Sequence, residues 1–160
     1  MDSARYAMLR QDMPAHSTGA RTLLVQPEHD DRQTYARALG SLGFSPVSAS
    51  AAIDALAIAP RVDIVVTDIL LSGYLDGVEF VTRLKTDAQT KRTPVIVLTG
   101  CTWESERERA HAAGCDVFLA KPCLLDDLVG EIHRLLTLYR LPKPPARSAL
   151  PPVRHTPLAS

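Results

Sequence analysis

VDIVVTDILL, residues 62–71, is the stretch that decides the fold. Its run of Val and Ile, set between Pro60 and Ser72-Gly73, predicts a strand covered on both faces, as in a parallel sheet. The run delivers a single carboxylate, Asp68, to its far end, directly after Thr67. In open α/β sheets the carboxyl edge is where ligands bind, because strand ends and helix N-termini leave a crevice there. Taken alone, Asp68 is equally well a cap or turn residue before a loop.

Upstream, Thr22 to Val25 predicts a first strand, and Tyr35, Leu39 and Leu42 fall on one helical face that Gly43 ends. Phe44 to Ala49 predicts a second strand, placed at a sheet edge by Pro46. A helix over Ala51 to Ile58 follows, with Ser50 as its N-cap and Pro60 as its stop. Downstream, a turn-rich loop from Ser72 to Gly77 leads into a helix carrying Val78, Val81 and Leu84. Pro94 to Leu98 predicts a fourth strand, ending in Thr99-Gly100. The helix ESERERAHAAG has few apolar positions, so it is expected mostly in water and closed by Gly114. Val117 to Ala120 predicts a fifth strand, ending in Lys121-Pro122. Leu125, Leu128, Ile132 and Leu135 give the last helix a core-facing stripe. Five strands alternating with five helices imply an α/β, doubly wound, five-stranded parallel sheet.

The 160 residues suit one ordinary domain with some excess. Eighteen Lys and Arg balance eighteen Asp and Glu, so bulk charge argues for neither nucleic acid nor membrane binding. No apolar stretch approaches a membrane span, and the N-terminus lacks a signal-peptide pattern, which makes a cytoplasmic protein the expectation. Cys101, Cys115 and Cys123 lack CxxC spacing and are expected to be reduced packing residues. Residues 1–20 are expected to be a mobile arm or, alternatively, a short helix through Tyr6, Met8 and Leu9. Residues 141–160 are expected to be a Pro-rich disordered tail, basic through Lys143, Arg147 and Arg154. The single domain is thus placed at residues 21–140.

Three strand ends supply Asp68, Thr99 and Lys121 to one sheet edge. A carboxylate nucleophile, a hydroxyl that hydrogen-bonds a phosphoryl oxygen and an ammonium that neutralises it are the parts that phosphoryl transfer to Asp requires. With VVTDILL, DGVEF, PVIVLTG and AGCDVFLAKP in this order, the chain resembles a receiver domain of bacterial two-component response regulators from about Arg21 to Tyr139. The resemblance implies a flavodoxin-like (βα)5 fold, Asp68 as phosphoacceptor, Thr99 as switch hydroxyl and Lys121 as the phosphate-pairing lysine. It also implies Phe118 as the aromatic switch and Pro122 as a proline in the cis form. Receiver domains are signalling modules, so no enzyme activity is expected. The implied donor is a histidine kinase or histidine phosphotransfer protein. The implied output is a protein target at the face made by the fourth helix, fifth strand and fifth helix.

The resemblance further implies a magnesium ion, with Asp68 and the backbone carbonyl of Leu70 among its ligands. Gln26 and Pro27, however, stand where the family places two adjacent acids. Magnesium favours carboxylate oxygens in near-octahedral geometry, and Gln26 offers only a neutral carbonyl while Pro27 offers no side-chain ligand. Glu28, one place further along, replaces them only if Pro27 bends the loop unusually; Asp30 and Asp31 lie further still. Ser72 stands where the family commonly has proline, the loop to Asp76-Gly77 is one residue longer than usual, and Phe118 replaces the frequent tyrosine.

Two signalling expectations follow: a stand-alone receiver phosphorylated on Asp68, or a pseudo-receiver that works as an interaction module without phosphorylation because Gln26-Pro27 removes the acids. A haloacid-dehalogenase-type enzyme needs a second Asp two positions after the nucleophile, where Leu70 stands. A dinucleotide enzyme needs a Gly-rich turn after the first strand, where Gln26-Pro27-Glu28-His29 stands.

Overall fold

A computed structural model describes residues 19–140 of the chain. The strands are β1 (Arg21–Val25), β2 (Ser45–Ala49), β3 (Ile64–Thr67), β4 (Val95–Thr99) and β5 (Val117–Ala120). The helices are α1 (His29–Ser41), α2 (Ala52–Ile58), α3 (Gly77–Thr86), α4 (Glu104–Ala113) and α5 (Leu125–Arg140). A 3₁₀ turn over Ala59–Arg61 carries α2 toward β3.

The strands form one sheet in the order β2-β1-β3-β4-β5, with every neighbouring pair parallel. β2 is an edge strand, which suits Pro46, since a proline cannot donate to a ladder on both sides. β3 lies at the centre, and all four of its residues are buried. Alternate side chains feed two cores. Leu23, Val25, Val65, Val95 and Val97 pack with residues of α2, α3 and α4, including Ala55, Phe80, Val81, Leu84 and Ala110. Leu24, Ile64, Val66, Ile96 and Leu98 pack with Leu39 and Leu42 beside α1 and with Leu128, Ile132 and Leu135 of α5. Covering both faces explains the continuous apolar runs, and each fully buried large side chain contributes about 1.5–3 kcal/mol.

The helices follow their patterns. The α5 stripe is buried at Leu128, Ile132 and Leu135, and Leu125 packs half-buried against the same core. In α4 only Ala110 is buried, and Gly114 closes the helix in the left-handed region at φ 104°. Ser50 is not the cap of α2. The N-cap is Ala51, with no side-chain hydrogen bond, because Ala51 stays extended to bridge Ser72 and so delays the helix by one residue. The fourth strand begins at Val95 and includes Thr99 rather than stopping at Leu98.

Gly19 and Ala20 belong to the packed structure: the Gly19 amide donates to Gly43 O at 2.7 Å, and Ala20 is buried. The rest of the expected arm, residues 1–18, and the expected tail, residues 141–160, lie outside the described residues. Among the described residues no helix is long and apolar enough to cross a membrane. The cysteines are all free, but only Cys115 is buried; Cys101 and Cys123 are partly exposed.

Candidate functional site

The sheet ladders run one residue past the strands and so set the candidate residues side by side. The Asp68 amide donates to Val25 O at 2.9 Å, which brings Asp68 beside the end of β1. The Lys121 amide donates to Thr99 O at 2.8 Å, which brings Lys121 beside the end of β4. The Lys121–Pro122 peptide bond is cis.

Asp68 is 5 % exposed and Thr99 is fully buried. The Thr99 hydroxyl donates to Asp68 Oδ1 at 2.5 Å, while its own oxygen accepts from the Cys101 amide at 3.1 Å. The Leu70 amide donates to the same Oδ1 at 3.2 Å. Oδ2 accepts from Lys121 Nζ at 3.2 Å, so opposite sides of the carboxylate are held by a hydroxyl and an ammonium. Hydrogen bonds to an ionised oxygen are the strong ones, and this set holds Asp68 in one orientation.

Lys121 also meets residues that its strand does not suggest. Its Nζ donates to Gln26 Oε1 at 2.7 Å and to Asp31 Oδ2 at 2.8 Å. Partial burial pulls the Lys121 pKa down, but the Asp31 hydrogen bond and the Asp68 charge outweigh it, and the net displacement is upward. Gln26 is fully buried, and its Nε2 donates to Leu98 O at 3.4 Å, which aims Oε1 at the lysine. Arg32 Nη1 donates to the carbonyls of Gln26 and Pro27, each at 2.7 Å, and ties down the β1–α1 loop.

Glu28 sits exposed at the N-cap position of α1, and no hydrogen bond joins its carboxylate to Asp68 or Lys121. Asp31, in the first turn of α1, is the acid that reaches the pocket. A signal for it was present: Asp31 lies four residues before Tyr35, and so extends the inward stripe of Tyr35, Leu39 and Leu42 by one turn. A carboxylate there is also favoured by the positive end of the helix dipole.

The loop after Asp68 is held close by Gly77, the first residue of α3. Its amide donates to Ile69 O at 2.8 Å, and a Cβ there would fall 1.9 Å from the Asp68 carbonyl oxygen. The Asp76 carboxylate caps α3 by accepting from the Glu79 amide at 2.8 Å. Leu75 is buried beneath this loop, whereas Leu70 and Tyr74 are exposed. Phe118, on β5, is half-buried, with the Arg107 guanidinium 4.7 Å from its ring centre and the His111 ring at 6.4 Å.

With Lys121 held among them, the oxygens of this pocket do not fit a magnesium ion. Among the described residues no group of three or more His, Cys, Asp or Glu is placed to hold a metal. The oxygens nearest Asp68 from the first strand and helix, Gln26 Oε1 and Asp31 Oδ2, converge on an ammonium. A hard divalent ion would share Asp68 with a neutral amide oxygen and face the charge of Lys121.

Residues 22–133 match the response regulator receiver domain family. The phosphate regulon transcriptional regulatory protein PhoB of Escherichia coli (strain K12) is 31% identical over 119 residues, which are 72% of this chain and 51% of PhoB. This chain thus spans about half the length of that curated relative. Among solved structures, the chemotaxis protein CheY4 of Vibrio cholerae is 28% identical with a TM-score of 0.67, covering 72% of this chain and 98% of CheY4. The receiver domain of sensor histidine kinase PA1611 from Pseudomonas aeruginosa, solved with a magnesium ion coordinated in its active site cleft, is 27% identical with a TM-score of 0.69. The match covers 75% of this chain and 99% of that one. Receiver domains generally bind magnesium in that cleft, so the Lys121-centred pocket is a departure within a shared frame. With five parallel strands in receiver order and the family match running from β1 into α5, this chain belongs to the response regulator receiver domain family of two-component signalling.

Proposed function

We propose that this receiver takes a phosphoryl group on Asp68 from a histidine kinase or histidine phosphotransfer protein and signals through a partner protein. The observation that carries this reading is the convergence of Thr99 and Lys121 on the two oxygens of Asp68. In the transfer, an Asp68 oxygen attacks the phosphorus of a phosphohistidine. The P–N bond breaks toward the imidazole, which regains a proton from solvent, and Asp68 becomes an acyl phosphate. Lys121 neutralises the added charge, and Thr99 exchanges its bond to Oδ1 for one to a phosphoryl oxygen. The exposed apolar side chains of Leu70, Tyr74, Trp103 and Leu124, on the three loops after β3, β4 and β5, offer a donor protein a contact surface around the acceptor.

Output is assigned to the face of α4, β5 and α5. Moving Thr99 toward the phosphoryl group frees space beside β4, and the half-buried Phe118 can turn inward from beneath Arg107. That is a population shift between two packings of one surface. The charged, largely solvated α4 and the edge strand β5 are the elements such a shift re-presents to a target.

The test is intact-mass analysis after incubation with a small phosphodonor such as phosphoramidate. One added phosphoryl group on the wild type and none on Asp68→Ala is the expected result. A second reading, that of a pseudo-receiver, is favoured by Gln26-Pro27 and by the closed contacts around Lys121. Unmodified Asp68 together with target binding unchanged in Asp68→Ala would establish it.

A further inference from the structure

Lys121 Nζ lies within hydrogen-bond reach of three oxygens from three separate elements. Gln26 Oε1 at the end of β1 is 2.7 Å away, Asp31 Oδ2 in the first turn of α1 is 2.8 Å away, and Asp68 Oδ2 after β3 is 3.2 Å away. An ammonium has three protons to give, and each oxygen takes one. The Asp31 contact is the shorter of the two carboxylate contacts, and the Asp68 one is the more buried. Gln26 is locked by burial and by its bond to Leu98 O, and Arg32 fixes the loop between Gln26 and Asp31, so the cage is built rather than incidental. The charges of Asp31, Asp68 and Lys121 sum to one negative charge.

We infer that Lys121 is the resident cation of this pocket, held by Gln26, Asp31 and Asp68 in place of a divalent metal, and that Asp31 is a positioning residue for it. Asp31 supplies from a helix the acidic charge that β1 lacks. It also sets the lysine at the junction of β1, α1 and β3. Removing the ammonium leaves two carboxylates and an amide oxygen aimed at one point, a set that suits a hard divalent cation. The cage is that of the unphosphorylated chain, and it does not depend on Asp68 serving as a phosphoacceptor.

The test titrates Mg2+, and separately Mn2+ as a paramagnetic probe, into the full chain, following the backbone amide resonances of Gln26, Asp31 and Asp68. Wild type is expected to show no saturable site at millimolar metal. Lys121→Ala is expected to gain one, with an affinity at least about tenfold above wild type, the low end of what a unit charge within about 4 Å is worth near a protein surface. The double variant Lys121→Ala/Asp31→Asn is expected to lose that gain. Lys121→Met gives the same comparison if the alanine variant does not fold. Saturable binding to wild type in the low millimolar range, no gain on removing the ammonium, or a gain that survives Asp31→Asn would each overturn the inference. Mass analysis of wild type with phosphoramidate is read separately, so loss of the phosphoacceptor role leaves this result intact.

Discussion

Gly77→Ala puts the close packing behind Asp68 to a quantitative test. The substitution places a Cβ 1.9 Å from the Asp68 carbonyl oxygen, 2.6 Å from Ile69 Cα and 2.8 Å from the Asp68 carbonyl carbon. All three are backbone atoms, so no side chain can swing aside. Real Cβ atoms essentially never approach heavy atoms closer than 3.0 Å, so α3 and the acceptor loop must separate by roughly 1 Å. The same movement stretches the hydrogen bond from the Gly77 amide to Ile69 O, now 2.8 Å, beyond useful reach. Overpacking costs about 1–3 kcal/mol and the lost bond about 1 kcal/mol more, for a total of about 2–4 kcal/mol. Helix propensity works in the opposite direction: Ala is better than Gly by up to about 1 kcal/mol in a helix. Equilibrium urea unfolding decides between them. With a slope of about 1–2 kcal/mol/M for a domain of this size, a loss of about 2–4 kcal/mol lowers the midpoint by about 1–4 M. Gly130→Ala, at an exposed α5 position with open space around its Cβ, is the control and is expected to gain about 0.5–1 kcal/mol. A Gly77→Ala variant as stable as wild type would refute the close approach and with it the placement of the Asp68 loop.

Three further tests address other parts of the structure. Because Lys121 is held above the ordinary lysine value, its pairing is fully present below about pH 10.4 and lost as pH rises through the folded value. The stability advantage of wild type over Lys121→Met is therefore expected to be level up to about pH 10 and to shrink above it in denaturation series, and a gap that widens there would contradict the cage. Burial first, and then the neighbouring Asp116, push the Cys115 thiol up to about 11. Native protein at pH 8 is expected to yield Cys101 and Cys123 to a thiol reagent well before Cys115, by mass analysis of labelled peptides. Asp116 accepts from the Val95 amide at 2.7 Å, from Lys85 Nζ at 3.1 Å and from the Tyr139 hydroxyl, tying α3, β4 and the end of α5 together. Asp116→Ala is expected to cost about 3–5 kcal/mol in urea unfolding, since it leaves a part-buried Lys85 without its carboxylate; Tyr139→Phe is expected to cost only about 1 kcal/mol.

Much of the fold was legible because its causes are local. The apolar run before Asp68 is continuous because both sheet faces are covered, and the α5 stripe follows from one buried helix face. Gly114 after α4 and Pro46 on β2 mark a helix end and an edge strand for backbone reasons that need no partner. Parallel order then implies that the ends of β3, β4 and β5 share an edge, which is why Asp68, Thr99 and Lys121 could be grouped by sequence. What local pattern misjudged was Ser50, whose expected cap was displaced when Ala51 paired with the Ser72 loop.

The alternating order of elements, the two apolar faces of the sheet and the strand ends on which the polar residues stand are all legible in the chain, since each depends on neighbours within a few positions. The α1 stripe marks Asp31 as the inward-facing acid, but that it meets Lys121 depends on the packing of α1 against the sheet. Asp31 and Glu28 are alike in sequence as acids beside the start of α1, yet only Asp31 lies on the inward stripe that meets Lys121, 90 residues away. Gln26, buried and turned by Leu98, meets the same lysine from 95 residues away. Such contacts depend on sheet register and helix rotation, which the chain specifies only once all of its layers are packed.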